Sequence, residues 1–543
     1  MARGTSMYDW FESNLKARDK CEEFINSRAT GDQTSVRKFL MKLIDEYGFP
    51  FSSEPSLVRY LENMGMTGRV SVPEPEEPEP IKPPNRRKAI QKARTWVVTA
   101  AQNNAEVDAE FLTALEGYCE EHNAELIIRK LRYGKPLDWC PSVQPYLVDD
   151  EIELRGVVIP DVRITATVAN PLTGLDARSG MKHAVYGATK LSMRTVATPL
   201  NSLPKIMYST GCVTHPAYSE TKAGNLAEFH HSMSAVIIEQ DKKGRTFLRS
   251  VTWDGECFID IDRMYTGVGK YHSQDAPAWS ALVTGDEHAW FVDPQVKGAT
   301  YTNPDSMVEV GRPEVVVRHD VLDCYSISHH HQNNALLQRN KAVFGWGNLR
   351  KELDETLEYI EETTVGDFTN LIVSSNHNDH LTQWLAAGER GVTPENALIY
   401  HELMVMVLES AQREETGVSM VNPLEAYATE FSLGRSRSSG SSMKFLGGDE
   451  PYMVHDIDVS QHGHRGPNGV RGSLTNLSKI GVKTVIGHRH SPGIMGGCWQ
   501  VGTSSRYDLE YIQGPSSWLH CHCVIHANGK RQLLPIIEGK WRR

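Results

Sequence analysis

An α/β fold is predicted by two observations along the chain. TWVVTAA, DAEFLTALEGYCEEHNA and ELIIRKL read as strand, helix and strand, because two short apolar runs flank a span of helical periodicity. In the second half, five apolar runs each end in Asp, Asn or His, and the amphipathic LRKELDETLEYIEETT supplies a helical crossover between two of them.

At the N-terminus, Ser35 precedes VRKFLMKLIDEY, whose apolar positions Val36, Phe39, Leu40, Leu43 and Ile44 recur at helical spacing, with Gly48 as the stop. After the turn FPFSSEP, SLVRYLENMG predicts a second helix ending at Gly65. Residues 1–70 therefore read as a helical, helix-turn-helix-like domain in which Arg59 is able to meet a nucleic acid; helical hairpins that only pack are commoner. SVPEPEEPEPIKPPN has too little apolar surface to offset the entropy of ordering, so 71–94 reads as a Pro/Glu-rich linker. Residues 95–275 are an α/β accessory region with no legible chemistry. Within it SAVIIEQ and RTFLRSVTW flank Asp241–Gly244 as a hairpin, and His230 and His231 just before it read as structural. Residues 276–543 are the expected catalytic domain. Near its end, the alternation in SWLHCHCVIHANG puts His520 and His522 on one face and Cys521 and Cys523 on the other, which favours a strand over a zinc site.

With 543 residues, 40% hydrophobic and 23% charged, the chain has room for about three domains and contains no apolar stretch of membrane-spanning length. MARGTSMYDWFESNLKARDK lacks the pattern of a secretory signal, and nine cysteines without a C-x-x-C pair point to reduced thiols in a cytoplasm. The net charge of −11 excludes a chain that is basic throughout, so phosphate contacts need local patches. Candidates are Arg86, Arg87 and Lys88, then Arg435 and Arg437, then the terminal KWRR, each more often a plain solvated surface.

The chemistry begins where ALVTG ends. Asp286 and His288 stand two apart, so in an extended segment both side chains point the same way and can share a cation. VVVRHD delivers Asp320, with Asp323 soon after; one carboxylate has two oxygens and can bridge two cations about 3.5–4 Å apart. NLIVSSNHND brings Asn376, a neutral oxygen ligand, and His377, which is left to face substrate. MVHDIDVSQ reads as a strand leading to His462, and KTVIG leads to His488 and His490. Clustering at strand ends fits the rule that ligands bind beyond the carboxyl ends of strands in open α/β sheets.

GDEH, HDVLD, SNHND, QHGH and GHRH, over about residues 278–530, resemble in order the five motifs of the calcineurin-like metallophosphoesterases, with spacing similar to the SbcD-like nuclease branch. That resemblance implies a two-sheet β-sandwich flanked by helices. It implies that Asp286, His288 and His490 hold one metal, that Asn376, His462 and His488 hold the other, and that Asp320 joins them. His377 would be the catalytic histidine. The cofactor implied is a pair of divalent cations, manganese by the nuclease likeness, with iron or zinc compatible with the mixed donors. The chain departs from the family pattern at His319, where a glycine is usual, and at Ser375 and Asn378. The carboxylate supporting His377 then falls to Asp379, and Asp323, His464 and Arg465 are further candidates to support a ligand or touch substrate. His464 competes with His462 for the same role, and His462 is preferred because it comes first.

The whole arrangement further resembles metallophosphoesterase proteins of tailed bacteriophages, including pre-early proteins that degrade host DNA. In GHRGPNGVRGSLTNLSKIGVKTVIGHRHSPG, glycines and basic residues are suited to a phosphate-lined floor. The expected activity is that of a metal-dependent phosphodiesterase degrading DNA. A phosphatase acting on nucleotides or phosphoproteins is the alternative, and a DNA-binding regulator on an inactive hydrolase scaffold is the third reading. Expected partners are a DNA substrate and, in a homo-oligomer, further copies of the chain; a membrane is not among them. The expected location is the cytoplasm, that of the host if the chain is of phage origin.

Overall fold

The computed structural model describes residues 7–29, 36–50, 57, 60–61, 86–199, 202–331, 333–413, 422–433, 443–509 and 514–542. The chain divides into two compact units, Met1–Lys82 and Pro83–Arg543.

The first unit contains helices Met7–Ser13, Leu15–Ala29 and Val36–Tyr47. Val36–Tyr47 is the helix its periodicity predicts, and it buries Phe39, Leu40 and Leu43. Phe24 stacks on Phe39 at 4.0 Å between ring centroids, and Phe11 on Tyr60 at 4.2 Å. The two earlier helices were not read from sequence, because Leu15–Ala29 is mostly polar and buries only a sparse set that includes Ala17, Cys21 and Phe24. Leu57, Tyr60 and Leu61 are helical and buried; Arg59, the rest of the second expected helix and the segment 71–85 lie outside the described residues.

The second unit is a mixed α/β body. Its five-stranded sheet runs in the order Thr246–Thr252, Ser234–Gln240, Thr95–Gln102, Glu125–Leu131, Leu147–Val148. The expected strand–helix–strand is there, with Thr95–Gln102 and Glu125–Leu131 parallel and joined through helix Ala109–Glu121. Alternation along Thr95–Gln102 sends Val97 and Ala101 against that helix and Trp96 and Val98 into the central core. The hairpin around Asp241–Gly244 is also present, as antiparallel Ser234–Gln240 and Thr246–Thr252.

A six-stranded sheet has the order Met443–Phe445, Thr369–Ile372, Val315–Arg318, Ala281–Val283, Cys521–Ile525, Arg531–Pro535, the first four strands being parallel. A ten-stranded sheet includes Ile457–Asp458, Lys483–Ile486, Cys498–Gln500 and Gly493–Met495, and beyond them Ala188–Val196, Lys205–Gly211 and His183–Tyr186. Both sheets turn side chains into one core: Val283, Val317, Leu371, Cys521 and Cys523 from the first, and Ile457, Val485, Trp499 and Met193 from the second. The two cysteines thus occupy the core face while His522 occupies the other, as the alternation predicts, and all nine cysteines are free.

Two expectations need correction. The structure does not divide at 275/276: Ser192–Arg194 pair antiparallel with Gly493–Met495, so strands from the expected accessory region complete the sheet that carries the later motifs. MVHDIDVSQ is not one strand. It folds as a tight hairpin, Met453–Val454 against Ile457–Asp458, with His455 at φ 55° in the turn. No helix among the described residues is long and apolar enough to cross a membrane.

Candidate metal centre

Parallel strands place their carboxyl ends side by side, so the turn after each strand meets the turn after its neighbour. Ala281–Val283 leads to Asp286 and His288, Val315–Arg318 to His319 and Asp320, and Lys483–Ile486 to His488 and His490. Thr369–Ile372 leads to helix Asn376–Ala386, capped by Ser375, whose side chain accepts from the Asn378 N–H. Asn376 and His377 therefore open a helix, at the end whose free N–H groups favour anionic ligands. The Asn378 side chain accepts from Leu322 N–H and donates to the Val373 carbonyl, tying this helix start to two strand ends.

Seven expected ligands converge. Asp286 Oδ2 lies 3.0 Å from His490 Nε2, which is 3.3 Å from His288 Nε2. Asn376 Oδ1 lies 3.0 Å from His462 Nε2 and 3.0 Å from His488 Nδ1. Asp320 Oδ2 stands between these groups, 3.1 Å from His462 Nε2 and 4.0 Å from His288 Nε2. Asp286, His288, Asp320 and His490 hold ligand atoms within 4.8 Å of one another, as do Asp286, His319 and His462.

The segments delivering these groups are not extended. His288, Asp320, His488 and His490 have φ of 47°, 46°, 77° and 58°, left-handed values that non-glycine residues seldom adopt. Such backbone persists only where surroundings enforce it, and it concentrates at functional sites. Here Asp286 is clamped on both sides: Thr503 Oγ1–H and Ser504 N–H donate to its carbonyl, and His488 N–H donates to its Oδ2. Gly285 N–H donates to His522 Nδ1, leaving Nε2–H of that buried ring for Thr300 Oγ1. Behind the loop, buried Glu287 accepts from Arg318, Thr284 and Tyr301, and Arg318 donates to Asn370. One ion pair thus ties together three adjacent parallel strands.

The donor set fits cations. Asp286 Oδ1 and Asp320 Oδ1 are buried and accept no hydrogen bond among the described residues, leaving charge that a cation would compensate. His288 donates its Nδ1–H to Asp323 Oδ1 at 2.7 Å, the arrangement that frees Nε2 as a metal ligand. Burial, the strongest single influence, pushes the Asp286 and Asp320 carboxyls up, but the surrounding imidazoles together outweigh it, His462 and His490 at Asp286 and His462, His377 and His288 at Asp320, and hold both below the usual carboxylate range. Burial and the charge of His462 push His319 and His488 down to about 4, so both rings are neutral at pH 7, the form a metal would require.

His377 donates Nδ1–H to the Asp323 carbonyl at 3.0 Å, with Asp323 Oδ1 at 3.2 Å, and its Nε2 has no hydrogen bond among the described residues. Burial opposes the charged ring, yet Asp320 and Asp323 overcome it and push His377 up to about 10. The carboxylate beside His377 is therefore Asp323 and not Asp379, as expected from sequence. Asp379 lies in the first helical turn, half-buried, accepting from Ser374 Oγ at 3.1 Å and from Arg465 at 2.8 Å. His464 stands 4.0 Å from Asp379 and makes none of the contacts of His462 with Asp320 and Asn376.

The chain is similar to Protein A1 of Escherichia phage T5. Identity is 27% over 475 residues, covering 83% of each protein. No protein-family model matches the chain, and no solved structure matches it.

Sequence reasoning missed His319, a fully buried ring with its Nδ1 3.3 Å from His462 Nδ1, although its place beside Asp320 at a strand end was the available signal. It also missed Glu287, Arg318 and His522, whose partners lie too far along the chain for any local pattern to show. Of the expected basic patches, Arg86 donates to the Leu126 carbonyl, Arg87 pairs with Asp150, and Lys540 and Arg542 pair with Asp305 and Asp262. Arg435 and Arg437 lie outside the described residues. Exposed cationic groups close to the centre are Arg465 and Arg489, the latter between His488 and His490.

Proposed function

We propose that this chain is a two-metal-dependent phosphodiesterase of the calcineurin-like metallophosphoesterase type, with DNA as substrate. The observation that supports it best is the convergence of Asp286, His288 and His490 on one side of Asp320 and of Asn376 and His462 on the other. When bound, two divalent cations lower the pKa of a water and neutralise charge on a phosphoryl group.

The protein's own groups supply the rest. Asp286, His288 and His490 would hold one cation, and Asn376, His462 and His488 the other, with Asp320 shared. His319, within ligand distance of Asp286 and His462, adds a nitrogen on the second side. His377, oriented through Asp323, carries a proton at Nε2 that it can give to the leaving oxygen of a phosphodiester. The opening turn of helix Asn376–Ala386, with Arg465 and Arg489 at the rim, favours a phosphate chain over a neutral substrate. A DNA substrate is further supported by the motif spacing, and similarity to a phage protein is compatible with it.

The test is plasmid cleavage by purified protein with manganese, beside hydrolysis of a small aryl phosphate. Cleavage of DNA is expected, with loss of at least 100-fold in Asp320→Ala and His377→Ala, on the order that removal of a charged or proton-donating catalytic group costs. Hydrolysis of the aryl phosphate alone would establish the phosphatase instead, and DNA binding without either activity would establish the regulator.

A further inference from the structure

A second set of histidines lies outside the centre built around Asp320. His329 and His330 sit in the single 3-10 turn His329–His331, and His380 projects from helix Asn376–Ala386 one turn after His377. Ring centroids are 3.9 Å apart for His329 and His330, 5.3 Å for His329 and His380, and 6.2 Å for His330 and His380. One nitrogen from each lies within 4.8 Å of the other two. His380 Nδ1 is shielded from solvent and has no hydrogen-bond partner among the described residues, while His329 and His330 are exposed.

From this geometry we infer that His329, His330 and His380 form a third cation site, separate from the two-metal centre. Metal–nitrogen bonds of about 2 Å put three facial nitrogens about 3.4 Å apart, so the present spacing closes by small side-chain rotations of two exposed rings. The donor set is imidazole only. Without carboxylate oxygen it selects a borderline transition cation such as Zn²⁺, Ni²⁺ or Co²⁺ over Mg²⁺ or Mn²⁺, in contrast to the mixed oxygen and nitrogen donors of the main centre. Exposure of two ligands leaves the remaining coordination positions open to water or a ligand oxygen. The ring of His380 is 5.4 Å from that of His377, so a cation held here stands at the side of the candidate proton donor.

Tag-free full-length protein titrated with Co²⁺, monitored by visible absorption and by metal content after gel filtration, tests the site. Wild type should take up one equivalent more than the double variant His329→Ala/His330→Ala, and His380→Ala should lose the same equivalent. Far-UV circular dichroism should be unchanged in the double variant, because both positions are exposed. Equal uptake by wild type and the double variant would overturn the site. So would loss of the extra equivalent in Asp320→Ala with its retention in the double variant, since that would place all bound metal at the main centre.

Discussion

At the scale of single residues, Asp323 does the most with the least. Its carboxylate accepts from His288 Nδ1 and stands beside His377 Nδ1, while its main-chain carbonyl accepts from His377. One side chain therefore orients a candidate ligand and, together with Asp320, holds the candidate proton donor charged. Asp323→Asn retains an oxygen for His288 but removes the negative charge that helps hold the His377 ring protonated. Cleavage should fall by about 10–100-fold, the usual cost of disturbing a group behind a metal ligand. The charge sets the direction of the pH effect. As the proposed proton donor, His377 would have to be protonated to act, so activity should be lost as pH rises through its pKa, and with that pKa lowered the alkaline limb of the pH–rate profile should move to lower pH. Metal content and the profile measured together separate this from a structural effect: lost metal with an unshifted limb would show that Asp323 serves His288 alone.

At the scale of elements, the strand-to-ligand turns decide whether the centre forms. Gly487 ends Lys483–Ile486, and a Cβ there would lie 2.2 Å from Asp286 Oδ1 and 3.1 Å from His319 Cγ. Neither group can retreat, because Asp286 is clamped by Thr503, Ser504 and His488, and His319 is fully buried. Gly487→Ala should therefore abolish metal uptake at the centre around Asp320, leaving the His329, His330 and His380 equivalent in place, while lowering stability by about 1–3 kcal/mol, the range of an overpacked site. Calorimetric metal titration beside thermal melting checks it, and normal metal affinity in a folded variant would contradict the clamp. What was legible in the sequence belongs to this scale. Apolar runs ending in Asp, Asn or His identify strand ends because parallel strands must be buried and their ends must carry the polar groups. The left-handed turns at His288, Asp320, His488 and His490 were not legible, since φ at a non-glycine residue is imposed by contacts such as Asp286 with His488 that span some two hundred positions. The pairing of Ser192 with Met495 was hidden for the same reason, and with it the fact that 95–275 shares a core with the later motifs. Asp379 was misplaced because its position in the first turn of a helix depends on where that helix starts, and Ser375 capping moved the start to Asn376.

At the scale of the whole molecule, histidines away from the centre contribute to the response to acid. His183 Nδ1 accepts from Ile206 N–H, and burial pushes its pKa down to about 4; burial does the same for His526. In the unfolded chain these rings take up protons near pH 6.5. Between about 6.5 and 4 the unfolded state therefore binds more protons, so the stability these rings contribute is complete above pH 6.5 and is lost as pH falls through that window. Melting temperature should drop over it, and His183→Asn, which keeps an acceptor for Ile206, should flatten the drop; an unchanged slope would remove His183 from the account. The division of the chain makes a different prediction. Met1–Lys82 has its own aromatic core in Phe11, Phe24, Phe39 and Tyr60, and every ligand of the candidate centre belongs to Pro83–Arg543. A chain beginning at Pro83 should consequently fold, bind its cations with unchanged stoichiometry and cleave DNA at saturating substrate. If the helical unit meets nucleic acid, the truncated protein should bind DNA more weakly and with a shallower dependence on salt, because fewer phosphate contacts release fewer counterions. Equal affinity and equal salt slope would assign those helices to packing alone, and loss of metal from the truncated chain would show that the centre depends on residues before Pro83.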